Sequence, residues 1–119
     1  MERKHRKLRV WQAAVELVES IYQVTAAFPR EEAFGLTGQM RRAAVSVPAN
    51  IAEGAARNST KELLHFLSVA SGSLSELDTH LEIAGRLGYV VDVTSIREKA
   101  DGVFALLVGL AASLRRKGT

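Results

Sequence analysis

Apolar positions along the chain step by three and four and hardly ever alternate, which is the spacing of helices and not of strands. Trp11, Ala14, Val18, Ile21, Thr25 and Phe28 share one face of a first helix. Phe28-Pro29 ends it, because a residue before proline is steered away from helical angles. Leu36, Met40, Ala43, Val47 and Ile51 form a second stripe that stops near Gly54 or a turn later, before Asn58. Leu63, Leu67, Ala70, Leu74, Leu77, Leu81 and Ala84 keep the rhythm unbroken in a third. Ser59 with Glu62 reads as the capping box at its start and Gly88 as its C-terminal cap. Ser95 with Glu98 opens a fourth helix striped by Ile96, Ala100, Val103, Leu107, Leu110 and Leu114. Its last residues, Arg115, Arg116 and Lys117, suit the negative end of a helix dipole. Four such helices on short loops predict an all-α fold, an antiparallel up-and-down four-helix bundle with left-handed packing.

Two faces exceed the needs of one bundle. The third helix carries Phe66, Val69, Ile83 and Leu87 away from its main stripe, and the fourth carries Val93, Phe104 and Val108. Surplus apolar faces on a small helical domain are usually buried against another subunit, so self-association is expected. The small run Ala70-Ser71-Gly72-Ser73 would let a second backbone approach.

Composition narrows the class. A chain of 119 residues, with 47% hydrophobic and 24% charged residues, makes a single domain over 1–119 with no room for a second core. No apolar run approaches a membrane span. The absence of cysteine removes disulfides, thiolate metal sites and cysteine nucleophiles, and suits a reducing, cytoplasmic location. The net charge of +3 is unevenly spread. A basic N-terminal tail of about residues 1–8, extended by Arg9, holds Arg3, Lys4, Arg6 and Lys7 against Glu2, and residues 1–9 sum to +4. The basic end 115–119 adds +3 through Arg115, Arg116 and Lys117, leaving the body at −4. Such ends read either as solvated tails or as phosphate contacts.

The second helix breaks local rules. Arg42, Ser46, Asn50, Glu53 and Arg57 run down one side, while Pro48 sits mid-helix, where it deletes a hydrogen bond at a cost of roughly 3 kcal/mol. Ser46, Asn50, Glu53 and Arg57 fit a polar structural layer, with Arg42 or Arg57 paired to Glu53 and with Ser68, Ser71, Ser75, Asp78 and Glu82 of the third helix opposite. A ligand-facing role fits the same ladder, and Arg41 and Arg42 are the residues most suited to face a ligand.

The run Arg41-Arg-Ala-Ala-Val-Ser-Val-Pro-Ala-Asn-Ile-Ala-Glu-Gly54 resembles the signature of a bacterial family of four-helix bundle proteins encoded in intervening sequences of 23S ribosomal RNA genes. Phe34-Gly-Leu-Thr37, Ser59 with Glu62, Phe66-Leu67, Gly72-Ser-Leu-Ser-Glu-Leu77, Leu8-Arg-Val-Trp11 and Tyr22 to Phe28-Pro29 carry the likeness further, from about Leu8 to about Leu110. The resemblance implies a homopentameric ring with a basic surface. It also implies kinship with the accessory protein of diversity-generating retroelements, which partners a reverse transcriptase and nucleic acid. It brings no catalytic residues.

Enzymatic chemistry finds no motif. A di-iron bundle needs two Glu-x-x-His pairs, and only Glu62-Leu-Leu-His65 exists. Gly35-Leu-Thr-Gly38 and Gly85-Arg-Leu-Gly88 lack the strand-turn-helix setting of a phosphate loop, and no nucleophile elbow occurs. No cofactor or metal is expected. Two functions stay open. One is an oligomer that binds RNA or DNA without sequence preference through Arg3, Lys4, Arg6, Lys7, Arg9, Arg41, Arg42, Arg115, Arg116 and Lys117. The other is a pentameric scaffold for a nucleic-acid enzyme such as a reverse transcriptase.

Overall fold

In a computed structural model, which describes residues 2–118, each predicted stripe winds into a helix, except that Phe28 of the first lies in the turn that follows it. These are α1 Arg9–Thr25, α2 Leu36–Ala55, α3 Thr60–Arg86 and α4 Thr94–Gly118, with 3-10 turns at Lys4–Lys7 and Arg30–Glu32. No strand occurs among the described residues. Met1 and Thr119, the ends of the expected domain and of its two basic segments, lie outside the described residues.

Pairs of contacts along each interface fix the direction of packing. Ser46 meets Ser73 while Gly54 meets Leu63 and Phe66, so α2 and α3 run antiparallel. Arg97 reaches Asp78 and Glu82, and Ala111 shares a groove with Leu67 and Ser68, so α3 and α4 do too. Lys99 bonds Ser20, and Gly109 faces Leu8 and Arg9, which reverses α4 against α1. Arg41 lies on Tyr22 and Thr25 across the short α1–α2 connection. Each helix thus packs on two neighbours, in the order α1, α2, α3, α4 and back to α1, inside an envelope of 48 × 26 × 19 Å. The heptad-like stripes are why: each helix has one apolar face to bury, and four around a common axis bury all of them. Met40, Val47, Ile51, Leu77, Leu81 and Val103 form the most deeply buried line with Leu17 and Ile21.

The core face of α1 is rotated from the expected one. Val10, Ala14, Leu17, Ile21 and Thr25 point inward, while Trp11 and Val18 are half-buried at the edge. Adjacent apolar pairs, Val10-Trp11 and Leu17-Val18, leave two registers possible, and the slimmer member of the first pair took the core. Trp11 instead supports the N-terminal turn.

The caps differ in detail. Ser59 Oγ accepts from the Glu62 amide at 3.1 Å, as its sequence position implied. Gly88, at φ +80°, ends α3 in a Schellman arrangement: its own N–H bonds the Gly85 carbonyl, and the Tyr89 N–H reaches back to Ala84 at 2.9 Å. The fourth helix starts at Thr94 and not at Ser95, because the Asp92 carboxylate accepts the Thr94 N–H at 2.9 Å and opens the helix one residue earlier. At α2 the Glu32 carboxylate accepts the Leu36 N–H at 3.1 Å and, with its other oxygen, the Tyr89 hydroxyl at 3.0 Å. A Cβ on Gly35 would lie 2.8 Å from that carboxylate, so a larger residue there would shift the Glu32 side chain.

Pro48 is buried and α2 continues through it. The Asn50 amide donates to the Ser46 carbonyl at 2.8 Å and to the Ser46 hydroxyl at 2.9 Å, bracing the turn that contains the proline. Gly54 brings α2 against α3 so closely that a Cβ would stand 2.8 Å from Phe66 Cβ.

Candidate nucleic-acid interface

An even number of antiparallel helices returns the chain to its starting end. The N-terminal turn, the α2–α3 connection and the end of α4 therefore share one pole of the bundle. Lys7 and Arg9 flank Leu8 and Val10 in a groove completed by Ala105, Leu106, Gly109 and Leu110 of α4. Arg3, Lys4 and His5 border a cavity of about 390 Å³ that ends on Ala56, just past the end of α2. Arg3, Lys4, Arg6, Lys7, Arg9, Arg115, Arg116 and Lys117 are all exposed at this pole. Arg57 and Lys61, which the sequence reading left out of the basic set, join them on the α2–α3 side. The acids of the pole are Glu2, Glu53 and Glu62, so it carries a strong positive excess.

The basic start is not a solvated tail. Lys4–Lys7 form a 3-10 turn that packs on α1 and α2. The His5 ring lies 4.8 Å from Trp11, and the Arg6 guanidinium sits 5.5 Å above the indole. Gln12 donates from its amide to the Arg6 carbonyl at 2.8 Å. A cation on an aromatic face gains about 0.5–1 kcal/mol at an exposed site, enough to bias the turn's orientation. The pole thus presents its charges from a folded platform.

Arg41 and Arg42 lie at the opposite end. Arg41, expected to face a ligand, closes the C-terminus of α1: its Nε donates to Thr25 Oγ1 at 2.9 Å and an Nη to the Tyr22 carbonyl at 3.4 Å. Its guanidinium rests 4.4 Å above the Tyr22 ring, where a cation also complements the helix dipole. Arg42 is exposed and makes no hydrogen bond or ion pair among the described residues. Glu53 pairs with Arg57 at 2.8 Å and not with Arg42.

The polar ladder divides. Ser46 and Asn50 are half-buried, and Ser46 shares a 2.9 Å hydrogen bond with Ser73 across the α2–α3 interface. Glu53 and Arg57 do not extend that layer; they form an exposed i,i+4 pair, with Arg57 stacked 5.0 Å over Phe66. The expected partners on α3 also differ. Ser68 and Ser75 are exposed, Ser71 turns toward α4, and Asp78 and Glu82 hold Arg97 at 3.3 and 2.8 Å. The reason is rotational: the side of α3 facing α2 carries Phe66 and Ser73, nearly half a turn from the predicted face.

At the other pole Arg86 and Arg97 are paired with acids, unlike Arg42. Arg86 first, and then Arg97, holds the Glu82 carboxyl below its usual range, and the hydrogen bond to Glu32 raises the Tyr89 phenol. His80 is a buried polar group that the apolar rhythm of α3 concealed: its Nε2 is 3.1 Å from Glu76, while its Nδ1, like Thr37 Oγ1, meets no polar partner. Glu62 and His65, the half di-iron motif, have other contacts, Glu62 with Ser59 and His65 edge-on to Phe66. Among the described residues no group of three or more His, Asp or Glu is arranged to hold a metal ion, and no helix is long and apolar enough to cross a membrane.

Comparison with curated proteins gave no match. A family model described as 23S rRNA-intervening sequence protein matches residues 6–109, which takes in most of the bundle but leaves out Arg3, Lys4 and the 115–117 cluster.

Proposed function

The chain belongs to the 23S rRNA-intervening sequence protein family, and from that premise we propose that it is a non-enzymatic, cytoplasmic oligomer that binds RNA or DNA through phosphates without reading sequence. The observation that carries the reading is the basic pole. Both charged ends of the chain meet there with Arg57 and Lys61, against Glu2, Glu53 and Glu62 among the acids. A cationic surface of this kind gains affinity by releasing counterions from a phosphate backbone. Repetition in a homopentamer would multiply one modest pole into a basic ring. Self-assembly is supported by Val69, Ile83, Leu87, Phe104 and Val108, all substantially exposed.

Titration of labelled single-stranded RNA, duplex DNA and structured RNA at two salt concentrations tests the binding. Affinity falls by orders of magnitude between low and moderate salt if about six or more phosphates are engaged. Neutralising Arg3, Lys4 and Lys7 together flattens that slope and leaves the helical signal intact, since all three side chains are exposed. Arg41→Ala leaves the slope unchanged and lowers stability, because Arg41 lies at the other end. Absence of binding to every probe below about 100 μM at low salt would sink this reading. The exposed apolar surfaces would then favour the scaffold for a nucleic-acid enzyme such as a reverse transcriptase.

A further inference from the structure

Phe34 is 98% exposed, although it stands in a connection that is anything but loose. Glu32 pins that connection from two sides, at the Leu36 N–H and the Tyr89 hydroxyl, and Phe28 and Leu36 on either side of it are buried. The loop therefore holds a phenyl ring outward in a defined position, where it touches water for no gain to the monomer's own core.

A receptacle exists elsewhere on the same chain. Near the N-terminal half of α3, the α3–α4 pair opens into a groove of about 270 Å³. Its floor is Leu67 and Leu107, which are buried, and its walls include Phe104 and Val108, which are 48% and 51% exposed. The opening follows from the sequence. Arg97 clamps the two helices at the far pole through Asp78 and Glu82, whereas here Ser71 and Ala112 are too short to fill the gap. The groove runs out at Arg115. Charge complements shape: exposed Glu31 lies three residues before Phe34, and Arg115 is an exposed cation at the groove's mouth.

Phe34 cannot reach this groove within its own molecule. It projects from the α1–α2 connection at one pole, and the groove opens toward the other pole of a bundle 48 Å long. We propose that Phe34 of one copy inserts into the α3–α4 groove of a second copy, with Glu31 set against Arg115. The inference rests on the self-assembly part of the proposed function and adds which surfaces meet. Because knob and groove are different patches near opposite poles, the contact either repeats head to tail, closing into a ring or extending as a fibre, or is exchanged reciprocally between two antiparallel copies.

Light scattering coupled to gel filtration reads the outcome on the full chain. The wild type is expected at a multiple of 12.9 kDa, and Phe34→Ser is expected to weaken association about tenfold to a hundredfold, the effect of exposing one phenyl ring. Circular dichroism should be unchanged in that variant, whose side chain supports no fold contact. Val108→Glu, on the groove wall, should weaken association to a similar degree. The chain has no cysteine, so Phe34→Cys and Val108→Cys can be purified separately, mixed and oxidised. A covalent dimer from the mixture, and not from either variant alone, supports the docking. Crosslinking of Phe34→Cys with itself overturns it in favour of a two-fold contact at Phe34 itself. Oligomers unaffected by both Phe34→Ser and Val108→Glu overturn the docking while leaving assembly intact, and a monomeric wild type overturns both.

Discussion

Asn50 and Glu53 sit one turn apart on α2, and sequence position alone assigns them the same structural role; their surroundings assign them different energies. Asn50 is half-buried and donates to the Ser46 carbonyl at 2.8 Å and the Ser46 hydroxyl at 2.9 Å. That hydroxyl in turn bonds Ser73 on α3. Two net hydrogen bonds at about 1 kcal/mol each set the gross loss in Asn50→Ala. Alanine recovers up to about 0.7 kcal/mol of helix propensity, so the expected net loss is about 1–1.5 kcal/mol. Glu53 is 54% exposed and its partner Arg57 42%. An exposed i,i+4 pair contributes about 0.3–0.5 kcal/mol, and alanine returns much of that in propensity. Glu53→Ala should therefore leave stability almost unchanged. Urea unfolding followed by circular dichroism, at one fixed protein concentration because any self-association would couple to stability, measures both. Ser73→Ala, and the double variant with Asn50→Ala, should show coupling, since the three groups form one chain of bonds. Equal losses for Asn50→Ala and Glu53→Ala, or an Asn50→Ala loss below about 0.5 kcal/mol, within the range of ordinary surface changes, would refute the assignment of the brace.

Gly88→Ala should cost about 1–2 kcal/mol by thermal melting, from strain alone, since φ is +80° and no atom lies within 4 Å of the added Cβ. Tyr89→Phe should lower the melting temperature by removing the bond to Glu32, and Glu32→Ala should lower it further, because it also uncaps Leu36. Acid should weaken the far pole. The Glu82 carboxyl is held below its usual range by Arg86 and then Arg97, so its contribution is complete above the ordinary carboxylate range and is lost as pH falls through its lowered value. Melting curves of wild type and Glu82→Gln should consequently differ at neutral pH and converge on acidification; a gap that widened in acid would contradict the sign.

Most of the core was legible because burial imposes a period on the chain. The stripes of α2 and α3 are buried almost residue for residue, Leu63 alone staying partly open. Where two apolar neighbours competed, as at Val10-Trp11 and Leu17-Val18, periodicity could not choose. The contacts of Trp11 with His5 and Arg6 were invisible because they depend on a turn with no apolar rhythm of its own. The polar pairing was harder still. Ser73 stands two residues from both Ser71 and Ser75 and so points about 160° away from either, and its pairing with Ser46 is fixed only once the α2–α3 rotation is known.

The gathering of charge at one pole was nonetheless implicit in the count of helices. Four antiparallel helices place residues 1–9 and 115–117 together, and the turn between the second and third helices, with Arg57 and Lys61, at the same end. The same parity sends Arg41 and Arg42, at the start of the second helix, to the opposite end. Reading charge along the chain grouped Arg41 and Arg42 with the termini; reading it along a bundle separates them and adds Arg57 and Lys61 instead. Arg41 then has a nearer task, because the C-terminus of α1 ends beside it and presents the Tyr22 carbonyl and the Thr25 hydroxyl. Topology is thus the step between sequence and site: the number of helices decides which charges share one end of the bundle.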